Sequence, residues 1–267
     1  MNINELLEGI QKPGRYIGQE WNVSRKKFED AQIRFALCFP DLYELGMSNL
    51  GIRILYSVMN GITDVVCERV FAVAADVEAR LQERGELLFS LESRHALKDF
   101  DLVGFSMGHE LQFTNVLSML ASGGIPLRAL ERDDRHPFVI GGGPCVANPE
   151  PMYAFFDFFV IGEAEEALIE ITDVYRAHAA QFKKKEITRR QFLEIFAGVP
   201  GVYVPSLYDV SYTQTNRILD FTPNSKAAPG RIKKRFVQDF EKAPFPAAWL
   251  VPYIQIIHDR ITLELTR

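Results

Sequence analysis

The feature that most constrains how this chain can fold is its alternation of short apolar runs with amphipathic stretches. Residues 33–39 (IRFALCF) form an apolar run stopped by Pro40. Residues 48–59 then set Leu50, Ile54, Leu55 and Val58 at helical spacing, with Ser48 as a candidate cap. The pattern continues as a strand at 64–72, a helix at 75–84 closed by Gly85, strands at 87–91 and 101–106, and a helix at 109–121 ended by Gly123-Gly124. Strands at 137–141 and 157–161 and a helix at 163–180 complete it. Strands separated by helices need crossover connections, so the expected fold class is α/β, a doubly wound parallel sheet with helices on both faces.

In such a sheet, ligands bind beyond the carboxyl ends of the strands. The loops that matter are therefore Pro40 to Met47, Ser106 to Glu110, Gly141 to Pro151 and Gly162 to Glu166. Before them lies an N-terminal arm, 1–30. After residue 180 the regularity fades: 188–197 reads as a short helix, 201–204 and 207–213 as β segments, Pro223 to Gly230 as a loop, and Arg260 to Leu265 as a terminal strand. The charge changes sign there as well. Lys+Arg number 16 against 27 Asp+Glu before residue 181, and 14 against 8 from residue 181 onward. Residues 181–267 are thus expected to be a small, basic α+β extension. Its short runs, Lys183 to Lys185 and Arg231 to Arg235, read as solvated faces, with nucleic acid not otherwise indicated.

With 47% hydrophobic and 24% charged residues the chain is an ordinary globular sequence, which excludes disorder, coiled coil and collagen as whole-chain descriptions. It opens without a leader pattern, and no run approaches the roughly 18 apolar residues that span a bilayer. A cytoplasmic location without membrane contact is the expectation. Cys38, Cys67 and Cys145 are odd in number and widely spaced, so neither a disulfide framework nor a CxxxCxxC cluster motif is present. No nucleophile elbow and no HExxH occurs, which argues against independent hydrolytic chemistry.

The strongest local motif is Gly141-Gly142-Gly143-Pro144 running to Asn148-Pro149-Glu150-Pro151, then the 157–161 strand and Gly162-Glu163-Ala-Glu165-Glu166. Three glycines let backbone approach a ligand closely, and the prolines stiffen the rest of the loop. The same glycines also suit a tight turn with no ligand, and no GK[ST] or GxGxxG accompanies them. This order resembles the N-terminal cobalamin-binding-type domain of B12-type radical S-adenosylmethionine (SAM) proteins. Phe39-Pro40-Asp41-Leu-Tyr43-Glu44-Leu-Gly46-Met47 and Phe105-Ser106-Met107-Gly108-His109-Glu110 resemble the other ligand-side loops of an uncharacterised branch of that superfamily. Val251-Pro-Tyr and His258 to Glu264 resemble the stretch that in this branch leads to the CxxxCxxC motif.

The resemblance implies a flavodoxin-like (Rossmann-like) domain at 31–180. It would position a corrinoid beside the SAM and 4Fe-4S site of a radical SAM barrel that follows in cis in relatives and lies outside this chain. The implied cofactor-binding residues are Asp41, Tyr43, Glu44, Gly46, Ser106, Met107, His109, Gly141, Gly142, Gly143, Pro144, Asn148, Glu150, Gly162 and Glu163. Asp41-Leu-Tyr43-Glu-Leu-Gly46 follows the DxHxxG pattern of base-displaced cobalamin binding with Tyr for His, so the protein supplies no imidazole below cobalt. On this reading the chain alone is not catalytic. Two other readings stay open: a cofactor-free interaction or scaffold domain of the same family, and a free-standing flavin or nucleotide binder.

Overall fold

A computed structural model describes residues 2–260 and 262 of the chain. The main sheet holds β1 (Ile33–Phe39), β2 (Val65–Phe71), β3 (Leu102–Ser106), β4 (Phe138–Gly142), β5 (Phe158–Val160) and β6 (Val202–Tyr203), in the order β2-β1-β3-β4-β5-β6. The first five strands are parallel and β6 runs antiparallel to β5. Strands covered on both faces have no solvent side to alternate with, which is why IRFALCF and VVCERVF read as nearly continuous apolar runs. Strand order reverses direction between β1 and β3, the flavodoxin-type switch point, and the loops at their carboxyl ends diverge there.

The helices are α1 (Ile3–Leu7), α2 (Tyr43–Gly46), α3 (Leu50–Gly61), α4 (Ala75–Arg84), α5 (Phe113–Ser122), α6 (Glu165–Lys183) and α7 (Arg189–Phe196). Three differences from expectation have local causes. Asn49, not Ser48, caps α3, its Oδ1 accepting from the Ile52 amide at 3.0 Å. A 3-10 turn at Glu110–Gln112 precedes α5, so His109 lies outside the α-helix. Residues 87–91 are not a sheet strand: the Leu88 amide donates to the Ser122 carbonyl, the Leu91 amide to that of Arg69, and Phe89 only bridges Ala96. That segment is apolar because Leu88, Phe89 and Leu91 are buried, and burial alone mimicked a strand pattern.

Helices α3, α6 and α7 cover one face, packing Ile52, Tyr56, Leu168, Ile171 and Phe192 on Phe35, Leu37, Phe138 and Phe158. Helix α5 covers the other through Val116, Met119 and Leu120 against Val103, Phe105 and Val139. A third cluster joins α1 to α4 through Leu6, Val77 and Leu81. Helix α7 and β6 belong to the main core, so the sheet architecture continues past the change in charge near residue 180. Beyond them β7 (Tyr208–Tyr212) and β8 (Ile218–Pro223) form an antiparallel hairpin whose second strand was not expected. The remaining strap crosses back to the N-terminal arm, where Val251 pairs with Trp21. The strand expected at 260–265 lies outside the described residues but for Arg260 and Thr262, neither of which is in a strand. No helix among the described residues is long and apolar enough to cross a membrane.

Candidate functional site

The carboxyl ends of β3 and β4 meet at the switch-point side of the sheet, with Ser106 in register with Gly142. The Met107 amide donates to the Gly142 carbonyl at 2.9 Å, and the Cys145 amide to that of Met107 at 3.2 Å. The three glycines there differ in what they do. A Cβ on Gly141 would meet the Phe159 ring at 2.4 Å, and one on Gly143, whose φ is +91°, would meet the Met107 carbonyl at 2.6 Å. These two glycines let the strand and loop pack. Gly142 is uncrowded, a Cβ there making only an ordinary contact with the Phe105 carbonyl oxygen at 3.8 Å. With Gly104 and Ser106 it lines a cavity of about 40 Å³ closed by Leu55, Ala164 and Leu168. That space admits water, whereas pockets for organic ligands run to about 300 Å³ or more.

The loop after β1 sits at the same edge but faces the arm. Tyr43 is buried, and its hydroxyl donates to Glu20 Oε1 at 2.8 Å. Glu20 in turn takes Arg69 Nη1 at 3.0 Å and Nη2 at 2.8 Å, while Arg69 Nε donates to Glu92 at 2.7 Å. Arg69 is fully buried, with the Tyr56 ring 5.3 Å from its guanidinium carbon. Burial raises the Glu20 carboxyl, yet Arg69 outweighs it and holds Glu20 below the usual carboxylate range. Burial keeps Glu92 above that range, and burial together with the Glu20 charge pushes the Tyr43 phenol up. Glu44 is clasped by Arg15 at 2.8 Å and Lys12 at 3.2 Å. A Cβ on Gly46 would sit 2.1 Å from the Phe71 ring, and Asp41 Oδ1 accepts from the Leu42 amide at 2.8 Å. The trio Glu20, Arg69 and Glu92 was missed from sequence, although a Glu-Arg pair inside the apolar run VVCERVF was a visible signal.

The other expected residues are spread along this edge. Met107 is buried in the core, while His109 is exposed and makes no capping hydrogen bond. Pro144 and Asn148 are exposed, and Glu150 accepts from the Tyr203 hydroxyl at 2.6 Å. Gly162, at φ +118°, lets the strap run against it: the Arg235 amide donates to the Ile161 carbonyl at 2.9 Å and the Glu163 amide to that of Arg235 at 3.1 Å. Glu163 accepts from the Val237 amide, and the Arg235 guanidinium pairs with Glu170 at 2.7 Å and Glu166 at 3.1 Å. The edge therefore brings Ser106, Met107 and Gly141 to Gly143 together. It commits Tyr43 and Glu44 to the arm, and Gly162 and Glu163 to the strap.

Among the described residues no group of three or more His, Cys, Asp or Glu side chains is placed to hold a metal ion. Cys38 and Cys67 are buried, and desolvation pushes both thiols up. The donor set of this chain thus does not fit an iron-sulfur cluster, which needs thiolate ligands gathered at one point.

The chain is 21% identical over 184 residues to an uncharacterized protein of Methanocaldococcus jannaschii, a match covering 66% of this chain and 36% of that relative. It spans about a third of the relative's length. No solved structure matches. Residues 51–205, more than half of the chain, match the family model for the N-terminal part of radical SAM proteins, and the chain with this edge-loop architecture belongs to that family.

Proposed function

We propose that this chain is the accessory N-terminal domain of a radical SAM protein, and that the carboxyl edge of its sheet is a rigid face for a following catalytic domain. The observation that carries this reading is that the edge loops are already internally bonded. Tyr43, Glu44, Glu150 and Glu163 each have a partner within the chain, so these side chains serve to hold loops in place. Leu45 within the β1 loop, and Leu111 and Tyr153 just past the ends of the next two loops, remain 39%, 84% and 55% exposed. Rigid loops carrying exposed apolar side chains suit a protein contact. The strap supports the same reading, because the His258 amide donates to Ser48 Oγ at 3.0 Å beside the β1 loop. S-adenosylmethionine and a 4Fe-4S cluster would belong to the catalytic domain, where they would supply the radical.

The residues do not fit a corrinoid in the arrangement described. The lower-ligand position of the DxHxxG pattern is a buried Tyr43 held by Glu20, and the adjoining cavity is about 40 Å³. One observation keeps a corrinoid as the second reading: Gly142, in register with Ser106, is the least crowded of the three glycines, a Cβ there meeting only the Phe105 carbonyl oxygen at 3.8 Å. Anaerobic equilibrium dialysis against hydroxocobalamin, read by visible absorbance, separates the two. The docking reading expects no saturable binding. Saturable binding that Gly142→Val abolishes would replace it with the corrinoid reading. Hydrogen exchange tests the docking face directly: amides of 107–112 and 143–148 should be slower in a protein that also carries the radical SAM domain than in this chain. Equal rates would refute the contact.

A further inference from the structure

A second surface shares no lining residue with the carboxyl-edge cavity. The turn that follows α7 and the strap at 226–238 enclose an open groove of about 710 Å³. Its lining contains Lys226, Arg231, Lys233, Lys234 and Arg235 against one carboxylate, Glu170. Arg235 is neutralised by Glu166 and Glu170, but the other four are exposed and have no acidic partner among the described residues. In a chain of net charge −5 this is a concentrated positive field. The backbone beneath it is fixed by the Arg235 pairing to Ile161 and Glu163 and by the Tyr208 hydroxyl on the Pro229 carbonyl at 2.7 Å. Lys226 stands on a turn and Arg231 on a bend, and Lys233 and Lys234 follow on the segment that leads into the Arg235 bridge. One aromatic ring lines the groove with them: Phe236 is 55% exposed, with Lys234 Nζ 4.8 Å above its ring.

We propose that this groove binds single-stranded nucleic acid. Four cations gathered along one groove match a short run of phosphates, and the exposed Phe236 ring beside Lys233 and Lys234 matches an unpaired base, a combination that an acidic protein surface does not require. The binding mode is independent of sequence, since nothing in the groove is arranged to read base edges.

The test is fluorescence anisotropy of the full chain with a labelled oligouridylate, repeated over a salt series. Four phosphate contacts predict a log–log salt slope of about −3, so affinity should fall about 50-fold between roughly 50 and 200 mM salt. Lys233→Glu with Lys234→Glu should at least halve the slope and weaken binding more than about ten-fold at low salt. Arg25→Glu with Lys27→Glu, an equal change of charge at exposed positions outside the groove, should leave binding unaltered. Phe236→Ala should weaken binding about five-fold or more without changing the slope. All variants alter exposed side chains, and circular dichroism confirms the fold before binding is read. Failure to bind at low salt, or equal losses in both charge-reversal variants, overturns the proposal. Polyglutamate binding as tightly as the oligonucleotide, with Phe236→Ala silent, also overturns it and assigns the groove to an acidic polypeptide.

Discussion

Replacing Arg69 by Met asks how much of the stability of the β1 loop comes from one buried cation. The guanidinium is fully buried and donates to Glu20, to Glu92 and to the Met47 sulfur at 3.1 Å. Methionine fills most of the volume but leaves two carboxylates in a site with no counter-charge. Removing one partner of such a pair costs about 3–5 kcal/mol, because the orphaned charge keeps its desolvation penalty. For a chain of this size, about 2–4 °C per kcal/mol turns that into a fall of roughly 10 °C in Tm. The assay is thermal unfolding by circular dichroism near neutral pH, paired with urea titration to obtain the free energy. Adding Glu20→Gln and Glu92→Gln to Arg69→Met should recover most of the loss, since neutral groups no longer need the cation. A single-variant Tm within about 2 °C of the parent, or a triple variant no better than the single one, would refute the account of a desolvated network.

Other consequences follow from the same geometry. Glu20 is held below its ordinary value of 4.5, so the stability it contributes is present above that pH and is lost as pH falls through its folded-state value; Glu20→Gln should flatten the acid limb of a stability–pH curve. Gly142→Ala should leave Tm within about 1 °C, whereas Gly141→Ala, forced against Phe159, should cost about 1–3 kcal/mol in urea unfolding. Gly162→Ala would put a Cβ 2.2 Å from the Arg235 carbonyl oxygen and should release the strap, seen as faster tryptic cleavage at Lys233 and Lys234. With a thiol reagent under native conditions Cys145 should react first, and Cys38 and Cys67 only on unfolding.

The sheet was legible because buried parallel strands leave a strong trace: four of the five parallel strands fall inside expected runs, β4 passes its run by one residue at Gly142, and the crossover helices carry their own 3.6-residue period. Residues 87–91 failed because burial against β2 and α5 makes the same apolar pattern as pairing does. Strand β8, ILDFTP, was missed because exposed hairpin strands show no core face, and its six residues are all exposed. The site was legible only in outline. Its glycines were found, but Gly142 could not be told from Gly141 and Gly143, since each difference depends on a neighbour from another strand. Glu163 was read as a ligand-loop residue from its place beside Gly162, and its bond from Val237, 74 residues away, leaves no local pattern in the sequence.

The pairing of Trp21 with Val251 places segments more than two hundred residues apart on one short ladder. Asn22 donates to the Trp249 carbonyl at 2.7 Å, and the Tyr253 hydroxyl donates to that of Gln19. Neither segment has a partner strand in the main sheet, but both also rest on α3: the Ser24 amide donates to the Tyr56 hydroxyl, and Arg53 donates to the Leu250 carbonyl and lies over the Trp249 ring. The strap and the arm thus meet on the same helix, and the arm carries from there to Glu20, the carboxylate that neutralises Arg69. Helix α3, which bears Arg53 and Tyr56, therefore serves as the common anchor of two segments from opposite parts of the sequence.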